Sequence, residues 1–393
     1  MHSLEQQLTK RLERIRKQGL ERRVLPLQML AGAKISHGSR EYINLASNDY
    51  LGLAGDPELI ATFYQELSRE NLLDRFGPGS TASRLMTGNH PVNTELEDRL
   101  SELYSPCRAL VFNSGYHANV GILPALAGKK DLIVADKLCH ASLIDGMRLS
   151  RATVIRYPHL DYTRLASILA EKRDRYRQVF IVTESVFSMD GDRADLRQLV
   201  RLKDAHQAVL YVDEAHSVGL RGLQGRGLAE EQQVLDRIDL LVGTFGKAYG
   251  GQGAFVICSQ VMADYLLNTA RTFIFTTGLP PVSLAWLLFV LKRIPAMEQQ
   301  RRHVQELSDR LRRALTDQGL VTGGSTNIVP VMIGDAEQAV RIADRLRESG
   351  FWINAVRPPT VPAGTARLRL SITAAMKQED LAPLPGLIAE ILS

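Results

Sequence analysis

The sequence predicts an α/β fold: a large domain built on a mainly parallel, seven-stranded sheet, joined to a smaller C-terminal α+β domain. Between residues 109 and 258, seven short apolar runs alternate with segments of helical periodicity. Strands that are apolar on both faces are typical of parallel sheets covered by helices on both sides. A chain of 393 residues also exceeds what one simple core usually holds, which favours a second domain.

The apolar runs define the strands of the large sheet. They are Ala109–Asn113, Leu132–Ala135, Thr153–Tyr157, Val179–Glu184, Ala208–Asp213, Leu240–Thr244 and Ala254–Cys258. Helical patterns, for example at 161–172 and 195–206, separate most of them. Because the carboxyl ends of parallel strands lie at one edge of a sheet, polar residues that follow these strands are expected to converge there.

The N-terminal part begins with an amphipathic helix, predicted from apolar residues at helical spacing, and Gly19 ends it. The apolar positions are Leu4, Leu8, Leu12 and Ile15. A polar, irregular arm follows to about residue 39, and then a short strand at 42–45. We assign residues 1–45 to this helix and arm, 46–281 to the large domain and 282–393 to the small domain.

The small domain is predicted to start with a long helical stretch at about 282–319, directly after Pro280 and Pro281. Its strands are expected at Asn327–Ile333, Trp352–Val356 and Arg367–Ile372, and its helices at 336–349 and 378–391. This mixture of strands and helices without regular alternation is typical of an α+β unit.

Composition excludes several classes of protein. The net charge of +5 is modest and the basic residues are scattered, which disfavours nucleic-acid binding and favours an anionic substrate or cofactor. The three cysteines are far apart without a C-x-x-C pair, so a metal site or disulfide framework is not expected. The N-terminus has no apolar signal core, and the longest apolar run, 282–291, is too short to span a bilayer. We expect a soluble cytoplasmic protein, with no membrane partner.

Lys247 stands alone among glycines between two apolar runs, 240–244 and 254–258. Burial lowers the pKa of a lysine and makes its amine nucleophilic, which suits a lysine that forms a Schiff base with a carbonyl cofactor. Glycines allow close approach of backbone and ligand. The alternative is a strand–loop–strand hairpin with a solvated lysine, and this stretch alone leaves both possibilities open.

Asp213 ends a buried apolar strand, where a carboxylate needs a partner. A protonated pyridine nitrogen would provide one and would make the ring an electron sink, with His216 at the phenolic oxygen of that ring. The alternative is an aspartate that caps the next helix. The Asp-Glu-Ala-His motif also occurs in helicases, but these need an upstream phosphate loop of the form G-x-x-x-x-G-K-[ST], which this sequence lacks.

A phosphate site is predicted at the glycine turn in 113–119, between a strand and a helix. The backbone N–H groups of Gly115 and Tyr116 would face an anion at the helix N-terminus, and Thr244 could add a hydroxyl. His140 also follows a strand and could stack on a flat ring or simply cap a helix. Ser188 lies in a turn, 186–192, that needs tight hydrogen bonding.

Arginines near the C-terminus suit a substrate carboxylate. Arg357 opens a proline-stiffened loop, and Arg367 and Arg369 share one face of the following strand. An arginine fork binds a carboxylate through two parallel hydrogen bonds. For one of the two strand arginines, the alternative is a purely structural ion pair.

The order of these motifs resembles the α-oxoamine synthases, which are pyridoxal-phosphate-dependent enzymes of fold type I. The motifs are Asn113–Tyr116, His140–Ser142, Ser188–Asp192, Asp213–His216 and Thr244–Lys247. Members of this family condense an amino acid with an acyl thioester and release CO2. The resemblance extends from about Arg22 to Ile391 and implies an enzyme that uses pyridoxal 5'-phosphate.

The resemblance implies a role for each matching residue. Lys247 forms the Schiff base, Asp213 pairs with the pyridine nitrogen, His216 contacts the ring oxygen, His140 stacks on the ring and Ser188 lies close to the cofactor. Gly115, Tyr116 and Thr244 hold the phosphate, while Thr276 and Thr277 reach the phosphate of a neighbouring subunit in a homodimer. Arg22, Asn48, Thr360 and Arg369 face the substrates.

Two segments, 44–53 and 357–370, resemble the branch of the family that joins L-alanine to a pimeloyl thioester in biotin biosynthesis, with coenzyme A or an acyl-carrier protein as the thiol. A glycine-using member, such as 2-amino-3-oxobutyrate ligase or 5-aminolevulinate synthase, is the alternative. A non-catalytic regulator that binds pyridoxal phosphate is a further one, although such proteins usually carry a DNA-binding domain before the region that begins near Arg22.

Two departures from the family pattern concern the region 75–97. Relatives commonly have Gly-Gly-Ser-Arg where this chain has Thr81-Ala82-Ser83-Arg84, and a histidine where it has Asn93. These differences put some acyl-chain or loop contacts in doubt, but they leave the cofactor chemistry unaffected.

Overall fold

The computed structural model describes residues 3–17, 20–22 and 24–392. Its first elements are α1 (Ser3–Lys17), β1 (Gln28–Met29), β2 (Lys34–His37) and β3 (Arg40–Asn44). The helix α1 is amphipathic as predicted, none of its residues is buried, and the predicted stop at Gly19 lies outside the described residues.

The arm is more regular than the sequence predicts. Strands β1, β2 and β3 pair antiparallel through tight turns in which Gly32 and Gly38 have positive φ angles of 73° and 61°. The expectation of an irregular arm to residue 39 is therefore wrong. Short, half-exposed strands of polar residues carry little periodicity, so their pairing partner rather than their own pattern determines them.

The large domain contains two early helices and then the alternating region. Its elements are α2 (Pro57–Tyr64), α3 (Pro91–Leu103), β4 (Arg108–Phe112), α4 (Gly115–Leu126), β5 (Leu132–Asp136), α5 (Ala141–Leu149), β6 (Thr153–Tyr157), α6 (Tyr162–Lys172), β7 (Val179–Glu184), α7 (Leu196–Ala205), β8 (Val209–Asp213), α8 (Leu228–Glu231), β9 (Leu240–Thr244), β10 (Ala254–Cys258), α9 (Gln260–Thr269) and α10 (Arg271–Ile274). All seven predicted strands are present.

These strands form one sheet in the order β4-β10-β9-β8-β7-β5-β6. Only β10 runs antiparallel to its neighbours, β4 and β9, and the other pairs are parallel. The predicted mainly parallel, seven-stranded sheet is therefore confirmed. Residues within a strand alternate between two cores: Val134 and Ile181 pack on one face, and Ile133 and Phe180 on the other.

The C-terminal part consists of α11 (Pro281–Leu291), α12 (Glu298–Asp317), β11 (Ile328–Gly334), α13 (Ala336–Glu348), β12 (Phe351–Trp352), β13 (Ala355–Val356), β14 (Ala366–Ser371), α14 (Gln378–Leu381) and α15 (Leu384–Leu392). Two predicted helices are interrupted: the stretch 282–319 by a 3-10 turn that contains Pro295, and the helix 378–391 at Pro383. Proline lacks the N–H that a continuing helix needs.

The predicted strand at 352–356 is wrong as a single element. Its first part, β12, pairs parallel with β3 of the N-terminal arm, whereas β13 pairs with β14. Strand β12 therefore extends the sheet of the arm, in the order β1-β2-β3-β12, while β13 belongs to a separate sheet with the order β11-β14-β13. Leu45, which follows the arm, packs with Leu307 and Val329 in a third core. The division of the chain at 45 and 281 stays a prediction. Of the helices in the described part of the chain, none has the length and apolarity needed to cross a bilayer.

Candidate active site

Lys247 lies in the hairpin that connects β9 to β10, with its Nζ 2.9 Å from His216 Nε2. Desolvation lowers the pKa of this amine to about 8, against the opposing attraction of Asp213 and Glu184. The structure thus combines the two alternatives: the segment is a hairpin, but its lysine is partly buried among charged groups rather than solvated. An amine with such a pKa is uncharged often enough near neutral pH to act as a nucleophile or base.

Asp213 ends β8 and is buried, as the sequence predicts. Its Oδ2 accepts a hydrogen bond from Asn119 Nδ2 at 2.7 Å, and its Oδ1 accepts one from the Ala215 amide at 2.9 Å. The helix-cap alternative is wrong, because a turn follows β8 and the next helix, α8, begins only at Leu228.

His216 is buried between Lys247 and Tyr50, a residue that was not predicted to belong to the site. The Tyr50 hydroxyl lies 2.7 Å from His216 Nδ1 and donates to Asn48 Oδ1 at 3.1 Å. Burial, reinforced by the charges of Lys247 and Arg369, lowers the pKa of His216 well below its usual value, so its imidazole is neutral. Tyr50 lies in the polar segment 46–53, but only the fold brings this segment to β8.

Two residues predicted to hold a phosphate, Gly115 and Thr244, lie next to each other, and their phosphate contact stays a prediction. Helix α4 begins at Gly115, and Ser114 caps it by accepting a hydrogen bond from the His117 amide. A Cβ on Gly115 would lie 3.8 Å from Thr244 Oγ1, which places the threonine hydroxyl beside the helix N-terminus. The amides of the first helical turn have no acceptor within the helix and attract an anion. Tyr116 is exposed, and its hydroxyl donates to Asp145.

His140 caps a helix, one of the two alternatives considered for it, and stacking on a ring stays a prediction. It caps α5, where its Nδ1 accepts from the Ser142 amide at 3.2 Å and lies 2.8 Å from Ser142 Oγ, yet its side chain stays exposed at the sheet edge. The buried Glu184, at the end of β7, accepts a hydrogen bond from the His140 amide at 2.5 Å. Desolvation and the nearby Asp213 raise the pKa of Glu184 well above its usual value.

Arg369 on β14 is a residue of the C-terminal part that contacts Asn48 and Tyr50 near Lys247 and His216. Its Nε donates to the Ser188 carbonyl at 2.5 Å, and its Nη2 donates to Asn48 Oδ1 and to the Tyr50 hydroxyl, both at 3.3 Å. Arg367, two residues earlier, is buried and forms an ion pair with Asp190. Arg367 is therefore the structural arginine of the pair, and Arg369 belongs to the site.

Thr360 lies close to Ser188 and Arg367. It lines a cavity of about 250 Å³ together with Ser188, Asp190 and Arg367, and its amide donates to the Arg357 carbonyl at 3.0 Å. Its side chain is exposed. This position agrees with a substrate-facing role, which stays a prediction.

Three predicted residues lie apart from the cluster around Lys247 in the described part of the single chain. Arg22 is exposed and follows Glu21, whose carbonyl accepts from Arg357 Nη2 at 3.3 Å. Asn113 Nδ2 donates to Thr277 O at 2.6 Å and lies 3.4 Å from Thr276 Oγ1. The neighbouring Phe275 is 70% exposed. Contact of the two threonines with a second subunit stays a prediction.

The residues present fit pyridoxal phosphate. A helix N-terminus and a hydroxyl are available for the phosphate, a buried carboxylate for the ring nitrogen, and an amine of lowered pKa for the aldehyde. The roles of Tyr50, Asn119 and Glu184 could not be predicted from the sequence, because their partners are far away along the chain. Two signals were available: Asn119 lies in the segment 113–119, and Glu184 ends a predicted strand.

Comparisons with known proteins give the same result. Residues 40–385 match the family model "Aminotransferase class I and II". An 8-amino-7-oxononanoate synthase from Chlorobaculum parvum is 47% identical over 390 residues, which cover 99% of this chain and all of the relative.

Solved structures agree with the sequence relatives. A serine palmitoyltransferase from S. paucimobilis, with a bound PLP–myriocin aldimine, is 29% identical and superposes with a TM-score of 0.89 over 100% of this chain and 98% of its own. An 8-amino-7-oxononanoate synthase from Francisella tularensis is 29% identical, with a TM-score of 0.73 over 89% of this chain and 98% of its own. The chain belongs to the class I and II aminotransferase family and, within it, to the 8-amino-7-oxononanoate synthase group of pyridoxal-phosphate-dependent acyltransferases.

Proposed function

We propose that the protein condenses L-alanine with a pimeloyl thioester and forms 8-amino-7-oxononanoate, CO2 and the free thiol, as a step of biotin biosynthesis. A new bond joins the alanine Cα to the acyl carbon, the C–S bond breaks, and the carboxyl group of alanine leaves as CO2. The observation that carries this proposal is the full-length similarity to a protein of that name at 47% identity.

We propose that pyridoxal phosphate binds among the residues around Lys247 and that the Lys247 amine is its covalent attachment point. We propose that Gly115, Tyr116 and Thr244 hold the phosphate and that Asp213 pairs with the ring nitrogen. The contacts of His140, His216 and Ser188 with the ring, and of Thr276 and Thr277 with the phosphate of a partner subunit, complete the site. Bound pyridoxal phosphate supplies an electron sink that stabilises negative charge on the amino acid Cα.

Lys247 is proposed to move the proton at the alanine Cα. A general base works best when its pKa lies close to the working pH, and desolvation lowers the pKa of this amine to about 8. His216 Nε2 lies 2.9 Å from the amine and, because its own pKa is lowered, can accept a hydrogen bond without adding a positive charge. The hydrogen bond to His216 keeps the Lys247 amine oriented, and the lowered pKa keeps it available as a base.

Arg369 is proposed to bind the carboxylate of the amino acid. Its guanidinium is held by Ser188, Asn48 and Tyr50, so the fork is oriented before the substrate arrives. Asn48, Thr360 and Arg22 are also proposed to face the substrates. For Arg22, the support is that the carbonyl of the preceding Glu21 accepts a hydrogen bond from Arg357.

The form of the protein and its acyl donor complete the proposal. We propose a homodimer, for which the exposed Phe275 beside Thr276 and Thr277 is the support. The free thiols Cys107, Cys139 and Cys258 suit a reducing cytoplasm. The acyl group arrives on coenzyme A or on an acyl-carrier protein, and both donors belong in the test.

The mass of the product tests the proposal. Purified, cofactor-loaded protein is mixed with L-alanine and pimeloyl thioester and, in parallel, with glycine and acetyl or succinyl thioester. Formation of 8-amino-7-oxononanoate with release of thiol is the expected result. Reaction of only a glycine pair would instead assign the chain to a glycine-using member of the family. Absence of any reaction, although the cofactor binds Lys247, would favour a non-catalytic regulator.

A further inference from the structure

Asn119 is a buried amide at the centre of a hydrogen-bond network beneath the site. It lies on α4 and is 1% exposed. Its Nδ2 donates to Asp213 Oδ2 at 2.7 Å and to Ser142 Oγ at 2.9 Å. Its Oδ1 accepts from the Tyr211 hydroxyl at 2.6 Å. Both N–H groups of the amide and its oxygen therefore have a hydrogen-bond partner.

The orientation of this amide follows from its partners. An ionised carboxylate accepts hydrogen bonds and donates none, so the amide nitrogen must be the atom that faces Asp213. The oxygen then faces Tyr211, whose hydroxyl can donate to it. Burial of all three groups makes the alternative orientation costly, because it would leave Asp213 against an unpaired oxygen.

The network joins two parts of the site that come from different elements. One branch reaches the Asp213 carboxylate at the end of β8. The other branch passes through Ser142 Oγ, which lies 2.8 Å from His140 Nδ1 at the start of α5. Asp213 and His140 are far apart in sequence. The carboxamide of Asn119 contacts Asp213 directly and reaches His140 through the Ser142 hydroxyl.

We propose that Asn119 is a positioning residue that sets the Asp213 carboxylate and the His140 imidazole relative to each other, so that both meet the same ring in the correct geometry. This inference rests on the proposed cofactor roles of Asp213 and His140. Tyr211 supports Asn119 from the opposite side of the amide, through the hydroxyl that donates to Asn119 Oδ1.

Three variants test the proposal. Asn119→Ala removes the connection, Tyr211→Phe removes only the hydrogen bond that orients it, and Asn327→Ala is the control. Asn327 is equally buried, at 1% exposure, but donates to the Ile372 carbonyl in the C-terminal part of the chain. Each variant is loaded with pyridoxal phosphate, and the pH midpoint of its visible absorbance is measured beside kcat, KM for alanine and thermal unfolding.

Asn119→Ala is expected to shift the spectral midpoint by about half a pH unit or more, because the carboxylate that faces the ring nitrogen loses a charge-assisted bond. We expect kcat to fall about ten- to hundredfold, as for other residues that orient a catalytic group, with a smaller change in KM. Tyr211→Phe should shift both quantities in the same direction by less. Asn327→Ala should lower only the unfolding temperature.

An Asn119→Ala variant with the spectral midpoint and kcat of Asn327→Ala would overturn the proposal. Should Asn119→Ala fail to fold, Tyr211→Phe decides: an unchanged midpoint would overturn the inference, and a shifted one would support it. The spectral titration needs no acyl substrate, so it remains decisive if the substrates proposed above are wrong.

Discussion

The active site has two sides of different construction. The floor consists of groups that follow strands of the seven-stranded sheet, with Asp213, Thr244 and Lys247 at or just beyond the ends of β8 and β9. The opposite wall consists of Asn48 and Tyr50 on the loop 46–53 and Arg369 on β14. It contacts residues that follow the sheet strands through hydrogen bonds from Arg369 to the Ser188 carbonyl and between Tyr50 and His216.

We propose that this difference separates chemistry from substrate selection. Floor groups are attached to strands that are buried on both faces, so their positions change little, which proton transfer and cofactor binding require. On the wall, Arg369 is carried by β14, whose Leu368 and Leu370 pack in a core separate from those of the large sheet. A wall of this kind can adapt to the substrate, and family members with different substrates can differ there while they keep the same floor.

The largest effect is expected from Lys247→Ala, which removes the amine of the floor. We expect turnover to fall by about 10⁴-fold or more, because the amine is both the attachment point and the proposed base. The fold should remain, since burial of this amine costs free energy in the native state. Normal rates in this variant would contradict the assignment of the site.

The stability of the same variant has a defined sign. The pKa of Lys247 is lowered to about 8 from the ordinary lysine value, so the charged form is disfavoured on folding. In the wild type this penalty is fully present below pH 8 and disappears as the pH rises toward the unfolded value near 10.5. Urea unfolding of the cofactor-free proteins at pH 7 should therefore show no loss of stability in Lys247→Ala, and a clear loss would contradict the desolvation argument.

On the wall, Arg369→Lys keeps the charge but removes the fork that binds Ser188, Asn48 and Tyr50. We expect kcat/KM for alanine to fall about ten- to hundredfold, or about 1.4–2.7 kcal/mol, with most of the change in KM. Arg367→Lys is the matched control on the same strand face. It should lower stability through the weakened Asp190 contact and change KM little, and the reverse pattern would exchange the roles of the two arginines.

Beneath the wall, His159 connects the loop that carries Ser188 to the large sheet. Its Nδ1 lies 2.9 Å from Asp136 and its Nε2 2.6 Å from Asp192. Desolvation acts to lower the pKa of His159, but hydrogen bonds to the two aspartates outweigh it and raise the pKa to about 10. His159→Gln should therefore lower the free energy of unfolding by about 1–3 kcal/mol at pH 6.

The pH dependence of this loss follows from the raised pKa. In the wild type, the stabilisation by His159 is fully present below the unfolded pKa of about 6.5 and is lost as the pH rises through about 10. The difference in unfolding free energy between wild type and His159→Gln should thus shrink from pH 6 to pH 10. A difference that stays constant or grows would show that the imidazole is not held as a cation.

The smallest effect is expected at Thr81, in the segment 81–84 that departs from the family pattern. Thr81 has a φ of +58°, a left-handed conformation that a β-branched residue adopts only with strain. Thr81→Gly should raise the free energy of unfolding by about 0.5–1 kcal/mol without a change in kcat. The neighbouring Ala82→Gly, where φ is not positive, should instead be neutral or destabilising, and equal gains at both positions would argue against local strain.

Much of the floor could be predicted because local sequence determines it. Strands that are buried on both faces appear as unbroken apolar runs, and parallel strands present their carboxyl ends on one edge, so Asp213, Thr244 and Lys247 follow from local patterns. Residues with a particular chemistry, such as a single lysine among glycines, are also visible in the chain itself. Neither inference requires knowledge of a distant partner.

Only the tertiary structure decided which residues orient these groups and which arginine faces the site. Tyr50 contacts His216 across 166 positions, and Asn119 contacts Asp213 across 94. The splitting of 352–356 between two sheets, and the choice of Arg369 over Arg367, likewise depend on neighbours such as β3 and Asp190. Periodicity records whether a face is buried but not what lies against it, because long-range packing selects that partner only when the chain folds.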